Sequence, residues 1–439
     1  MERPSIHFAP ESNWMNDPNG TVYKDGVYHL FYQYNPYGSD WGNIQWAYAT
    51  SSDLMDWERK GLKLSPDSSI SEKYCFSGCS VRMPEGFKCF YTSIGYEDDA
   101  VQHHAKQLIC DADENFNKIH RNGYAITKDI HDFSVSEWRD PFVFRFGGKS
   151  FMVLAGIGNG KSCVFLYEAK DRDLNKWEYI APLYEIDQET DMIECPNVAV
   201  FGTRIVLMYS LVRENIVRYI SGEFDGRQIR IGVEGVVDYG VNCFYATNIA
   251  YGANGETVLF AWEKESLIGA SSPDGKYSGC LAIPRILRLN GYRLEIYFIN
   301  SLMSLYKHRL PVTEGAFPVV YGDQERTMMT FVTESDSEMA ILKNSDEEVR
   351  LVFRDENLRI SRKCLLSNAD NREIVAQVGG GKKEVQIVCD GTIVEILVSN
   401  QTSVCFRHYR QKKIDILFQL IRGYIERIHV CELNEANIK

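Results

Sequence analysis

The chain has 439 residues, with 48 Lys and Arg against 60 Asp and Glu, a formal net charge of −12. Hydrophobic residues make up 44% and charged residues 25%, a globular composition that excludes a mostly disordered chain. An acidic chain with no basic run lacks the positive footprint that nucleic acids and anionic membranes require, so neither is expected as a partner.

Taken in chain order, residues 1–8 lack the apolar stretch of a secretory signal. No run approaches the ~18 uninterrupted apolar residues of a membrane span. The twelve cysteines are scattered from Cys75 to Cys431 without zinc-ligand spacing, which fits reduced, buried thiols. A cytoplasmic protein is expected.

An apolar strand, a turn containing Gly or Asn, and a second apolar strand then recur at residues 21–32, 80–92, 142–154, 198–209 and 248–260. The first copy carries Asp25-Gly26 between its strands, a strong hairpin signal. Successive copies lie roughly 50–60 residues apart, a spacing typical of repeat architectures. The pattern Asp-Leu-x-x-Trp-Glu occurs twice, ending at Glu58 and at Glu178, two units apart. Regular β units of this length predict an all-β propeller, and five hairpins predict five blades. A β-sandwich with chance spacing is the weaker alternative, because it leaves the doubled motif unexplained. After Leu294 the period stops. Short strands at 350–353, 384–388 and 392–398, with Asp390-Gly391 as a tight turn, predict a small C-terminal β-sandwich. The expected division is a five-bladed β-propeller over 1–300, a connector over 301–316 and the sandwich over 317–439.

In a propeller the innermost strand of each blade runs along the central channel, so residues just before it ring one mouth. The units here are preceded by Asn16-Asp17-Pro18, Phe76-Ser77-Gly78, Arg139-Asp140-Pro141, Glu194-Cys195-Pro196 and a segment from Asp238 to Asn242. A carboxylate stands in every one of these except the Phe76 segment, and proline follows three of the acids, fixing the local backbone. Each segment alone reads as a turn. Their coincidence at one point of successive repeats predicts a shared axial site. Carboxylates brought together push their pKa values apart, and glycoside hydrolysis uses such a pair as nucleophile or base and proton donor. Trp14, Trp41, Trp46, Phe76, Tyr245 and Trp262 near these segments suit sugar stacking. Asn16, Gln33 and Arg139 can donate hydrogen bonds to hydroxyls. A small carbohydrate is the expected ligand, while Trp57 and Trp177 of the doubled motif read as blade packing.

Trp14-Met-Asn-Asp-Pro-Asn-Gly20, Arg139-Asp140-Pro141 and Glu194-Cys195-Pro196 resemble the three signature blocks of glycoside hydrolase family 32, the invertases and fructan hydrolases. Phe31 to Pro36, Trp41-Gly42-Asn43, Phe76-Ser77-Gly78, Asp238-Tyr239-Gly240, Gly279 to Arg285 and Asp390 to Ile396 resemble its lesser blocks, so the match spans nearly the whole chain. The resemblance implies retaining hydrolysis of a terminal β-fructofuranosyl bond without metal or organic cofactor. By it Asp17 is the nucleophile, Glu194 the acid/base and Asp140 a transition-state stabiliser. Asn16, Gln33, Trp41, Phe76, Ser77, Arg139 and Trp262 match positions that line the fructose subsite. Glu194 stands between Ile193 and Cys195, where partial burial is expected to raise its pKa and keep it protonated. Gln45 and Tyr48 replace histidines common in the family, and Phe142 replaces a frequent polar residue. These departures are expected to bear on the leaving-group side.

With a cytoplasmic location, sucrose, sucrose 6-phosphate or short fructo-oligosaccharides are favoured over polymers. Fructosyl transfer, exohydrolysis of inulin or levan, arabinoside hydrolysis and a catalytically silent sugar-binding role are the rivals. The sequence sets no oligomeric state. Three further patterns read as decoys. Gly156 to Ser162 mimics a phosphate-binding loop but has Ala155 where the first glycine belongs and a strand after it, so it reads as a hairpin turn. Gly379 to Lys382 reads as a loop, and His103-His104 as a solvated pair rather than a metal site.

Overall fold

The computed structural model describes residues 3–96, 105–240, 242–265, 275–366 and 371–439; the His103-His104 pair lies outside these. The described chain is all-β, with only short 3-10 turns such as Asn300–Leu305 between strands. Five sheets follow one another along the chain, built from sequential antiparallel strands, and the first also takes in the short strand Tyr277–Ser278, parallel to its first strand. Their first strands are Asn13–Lys24, Glu72–Arg82, Val135–Phe146, Ile193–Phe201 and Phe244–Tyr251. Asp25 and Gly26, both at positive φ, close the first hairpin, as the sequence indicates. Asn159 and Gly160 do the same between Lys149–Gly158 and Lys161–Ala169. The phosphate-loop mimic is thus a two-residue β-turn, and Gly379 to Lys382 falls between two strands.

These five first strands touch in a closed cycle. Asn13–Lys24 packs on Glu72–Arg82, which packs on Val135–Phe146, then Ile193–Phe201, then Phe244–Tyr251, which returns to Asn13–Lys24. Each strand is also irregular at the same place. The pairing register slips between Met15 and Pro18, Cys75 and Gly78, Arg139 and Phe142, Glu194 and Asn197, and Tyr245 and Asn248. Asp140, Cys195 and Ala246, inside three of these slips, have φ of 65°, 48° and 50°. A bulge leaves a residue unpaired and re-aims its side chain. It also suits proline, which has no N–H to give the ladder. The three motifs that join an acid to a proline therefore lie within the first strands, not ahead of them as the sequence suggests, whereas Asp238 does precede the fifth.

Apolar side chains from all five sheets contribute to one large core, in which Trp57 and Trp177 are buried, and a separate cluster of Phe31, Trp46, Tyr48, Phe87 and Tyr91 is buried between the first two sheets. A second core lies between two six-stranded sheets spanning Tyr306 to Leu433. Met329, Phe331, Ile387 and Ile396 come to it from one sheet, and Met339, Ile341, Leu351 and Ile360 from the other. In Asn357–Lys363 every second residue is buried, the period expected of a strand with one face on a core.

A buried ionic junction joins the two sets of sheets. Arg285 bonds to Glu395 (3.0 Å) and Asp238 (3.3 Å). His7 places Nδ1 2.8 Å from Asp390 and Nε2 3.1 Å from Glu395. Asp390 also accepts the backbone N–H groups of Ser5, Ile6 and His7. His7, Glu263 and Glu395 lie within 4.8 Å of one another, and both ring nitrogens of His7 are taken by carboxylates. Asp238 belongs to this junction and does not line the axial cavity that the sequence suggests for it, because it ends the fourth sheet's last strand and is held there by Arg285 and Ser403. None of the twelve cysteines is bridged. No helix among the described residues is long and apolar enough to cross a membrane.

Candidate active site

A cavity of about 400 Å³ opens where the five first strands converge. That is within the size range of small-ligand sites. Its wall includes Asn16, Asp17, Gln33, Trp41, Phe76, Ser77, Arg139, Asp140, Glu194, Tyr245 and Trp262. The three acids come from three different first strands, each delivered by its bulge.

Asp17 is held by its neighbours. Asn16 Nδ2 donates to Oδ1 at 3.0 Å, Ser77 Oγ to Oδ2 at 2.5 Å, and the Cys195 thiol lies 3.5 Å from Oδ2. Gln33 links the first two, accepting from Asn16 and donating to Ser77 at 2.6 Å. Gly78 follows Ser77 because the adjoining strand leaves no room for a side chain: a Cβ there would sit 1.9 Å from the Phe90 carbonyl oxygen. Asp140 accepts from the Cys195 backbone N–H at 2.9 Å, which ties the Arg-Asp-Pro bulge to the Glu-Cys-Pro bulge. Glu194 accepts from Arg139 Nη2 at 2.8 Å and from the Tyr245 hydroxyl at 2.7 Å.

Burial raises the pKa of Asp17, against the hydrogen bonds from Ser77 and Asn16. Burial pushes Asp140 up to about 7, with Arg139 opposing and the charges of Glu194 and Asp17 adding to the rise. Glu194 behaves in the opposite way. Its burial favours the neutral acid, but Arg139, Tyr245 and Lys264 outweigh that and lower its pKa. This corrects the expectation of a raised Glu194: the neighbouring cations, invisible from Ile193 and Cys195, win over burial. Burial thus favours the neutral form of the two aspartates, whereas the cations beside Glu194 favour its ionised form.

The other expected residues separate into groups. Trp41 is half exposed at the rim, with its ring 6.1 Å from that of Phe76. Trp262 is buried in the wall, and Trp14 stands edge-on to it at 5.6 Å. Trp14 does not line the cavity; its indole N–H donates to Asn16 Oδ1 at 2.7 Å and so orients that amide. Trp46 is fully buried in the core and donates to the Phe76 carbonyl, so it offers no face to a sugar. Gln45 and Tyr48 are also away from the cavity; Tyr48 stacks with Phe31 and reaches His29.

Two charged wall residues escaped the sequence reading. Glu137 lies 2.5 Å from Arg139, and Lys264 lines the cavity beside Tyr245. The available signal was strand alternation. Glu137 is two residues before Arg139 and Lys264 two after Trp262, the spacing that returns to one face of a strand.

Residues 7–297 match the glycosyl hydrolases family 32 N-terminal domain. The chain belongs to this family. It is 31% identical over 355 residues to an insoluble isoenzyme of rice β-fructofuranosidase, covering 71% of this chain and 59% of that relative. It is 29% identical over 384 residues to a sucrose-6-phosphate hydrolase of Zymomonas mobilis, covering 80% and 69% of the two chains. Fructan 1-exohydrolase IIa of Cichorium intybus has a similar fold, with a TM-score of 0.85 at 20% identity over 99% of this chain and 98% of that one. The sucrose-6-phosphate hydrolase structure from Lactobacillus gasseri gives 0.85 at 20% identity, over 99% and 93%.

Proposed function

We propose that this protein is a retaining β-fructofuranosidase that releases terminal fructose from sucrose, sucrose 6-phosphate or short fructo-oligosaccharides. The observation that carries this reading is the convergence of Asp17, Asp140 and Glu194, from three strands, on one cavity. The relatives named above, among them a β-fructofuranosidase and a sucrose-6-phosphate hydrolase, support it. The five sheets with their closed cycle of first strands are read as a five-bladed propeller over 1–300. The two six-stranded sheets are read as a sandwich over 317–439. The connector over 301–316 already gives strand Tyr306–Arg309 to the second unit. The unbridged cysteines suit a reducing, cytoplasmic location.

In this reading the reactive form has Asp17 ionised and the shared proton on Glu194; Asp17 attacks C2 of the fructosyl unit while Glu194 gives that proton to the departing oxygen, and the C2–O bond breaks. Asp140 and Arg139 grip the ring hydroxyls, and Trp41, Phe76 and Trp262 supply apolar surface. Formation of the fructosyl ester removes the negative charge of Asp17. Glu194, held as an anion by Arg139, Tyr245 and Lys264, then takes a proton from water. The water oxygen bonds to C2 and Asp17 leaves as carboxylate.

Release of free fructose is measured on sucrose, sucrose 6-phosphate, inulin and levan. Fructose equal to the aglycone released supports hydrolysis. A lasting shortfall of fructose would mean transfer, and no turnover of any fructoside would overturn the proposal.

A further inference from the structure

Lys264 carries an ammonium group into the cavity wall, and no carboxylate among the described residues lies within ion-pair distance of it. It follows Thr257–Glu263, and its Nζ sits 3.4 Å from the centre of the Tyr245 ring. Asn215 Oδ1 accepts from it at 2.5 Å and fixes its position. The Tyr245 hydroxyl in turn donates to Glu194 Oε2 at 2.7 Å. Cation, aromatic face, phenol and carboxylate are thus joined in one line. A cation on the face of a phenol ring draws on the ring's electrons. That strengthens the O–H as a donor, and an ionised acceptor gains most from a stronger donor.

We infer that Lys264 is a positioning residue that holds the Glu194 carboxyl in its ionised form, acting through Tyr245. The charge balance of the cavity supports a role toward the protein's own acids. Four carboxylates, Asp17, Glu137, Asp140 and Glu194, line the same cavity as Arg139 and Lys264. Arg139 divides its charge between Glu137 and Glu194, so Lys264 is the other positive charge the wall sets against the remaining acids. An anionic substrate group brought to Lys264 would meet those acids as well, so a substrate phosphate is the poorer partner. The groups facing Glu194 are Arg139, Glu137 and Asp140 from Val135–Phe146, Asp17 from Asn13–Lys24, Tyr245 from Phe244–Tyr251, Lys264, and Cys195 on its own strand.

The inference rests on Glu194 as acid/base, where the alkaline limb of kcat/KM reports loss of its proton. A nearby cation stabilises the carboxylate and lowers that limb, so its removal moves the limb up. Lys264→Met is expected to raise the alkaline limb on sucrose by about half a pH unit or more, a shift typical of one nearby charge. Lys264→Arg, which keeps the cation, should stay close to the unmodified protein. Tyr245→Phe should move the limb in the same direction, and the double variant should move it by less than the sum of the two. A limb unmoved in Lys264→Met, with activity lowered evenly at every pH, overturns the inference. Strictly additive shifts overturn the route through Tyr245. A second measurement does not need turnover. The 13C carboxyl resonance of Glu194, assigned by its loss in Glu194→Gln, should titrate at higher pH in Lys264→Met. If the unmodified protein cleaves no fructoside but this resonance shifts, the activity reading fails and the electrostatic link stands; an unshifted resonance in an active enzyme removes the link alone.

Discussion

Arg139 Nη2 lies 2.8 Å from Glu194 Oε1, while its Nη1 is 2.5 Å from Glu137. One guanidinium thereby joins two acids and locks the third sheet's first strand to the fourth's. Glu194 owes its ionised state first to this contact. Arg139→Met should lower kcat/KM on sucrose by about 10²–10³-fold, the cost typical of losing one preorganised donor. It should also raise the alkaline limb, because Glu194 loses its nearest cation. Steady-state rates across pH check both effects, and a limb that moves down would contradict the pairing.

Asp17 is hydrogen-bonded at both oxygens, with Asn16 donating to one and Ser77 to the other. Such fixed geometry suits a nucleophile. Asp17→Ala should reduce turnover by about 10⁴-fold or more while leaving the far-UV spectrum and unfolding midpoint close to those of the unmodified protein. Activity within tenfold of the original would exclude the role.

Glu194→Gln keeps the shape of the side chain but removes its proton chemistry. On sucrose the loss is expected to be about 10²–10⁴-fold, the usual range for general acid–base catalysis. On a fructoside with a better leaving group the first step needs less proton donation, so the loss should be smaller. Equal losses on both substrates would argue against proton donation by Glu194.

Gly78 bears on both stability and the site. A Cβ at this position would stand 1.9 Å from Phe90 O and 2.8 Å from Tyr91 Cα, so the strand must move. Gly78→Ala should cost about 1–3 kcal/mol, as overpacking generally does. It should also lower kcat, because Ser77 is displaced from Asp17. Urea unfolding and initial rates on the same sample test the pair of effects together; a stable variant with a normal rate would show that the backbone yields freely.

His7 tests the ionic junction. Burial alone would lower its pKa, but hydrogen bonds to Asp390 and Glu395 reverse this and raise it from 6.5 to about 10. The folded protein thus holds this proton more tightly than the unfolded chain. Its stabilising effect is complete below pH 6.5 and is lost as pH rises through about 10. His7→Ala should cost about 3–5 kcal/mol near pH 6, as loss of one partner of a buried ion pair does. That cost should shrink toward pH 10. Urea midpoints for the two proteins that stay parallel from pH 6 to 10 would show that His7 is not charged in the fold.

The three acid motifs could be read from the chain because each is a local pattern: acid and proline at a fixed point of a repeated hairpin. Local apolar runs and turn residues likewise marked the inner hairpin of each of the five sheets and three strands of the C-terminal part, since they depend on neighbours a few residues away. What the repeat could not show is which acids share a cavity. Asp238, which the sequence sets at the entrance of the fifth unit, ends the last strand of the fourth sheet, where Arg285 and Ser403 draw it into a structural junction. Trp46 has the composition of a sugar platform but lies in the core. The ionisation of Glu194 was equally out of reach, because Arg139, Tyr245 and Lys264 come from three separate segments and meet only in the folded chain. Electrostatics acts through space while sequence pattern acts along the chain. The sequence by itself therefore determined the repeated hairpins and the identity of the acids, and only the tertiary structure decided their partners and the direction in which each acid's pKa moves.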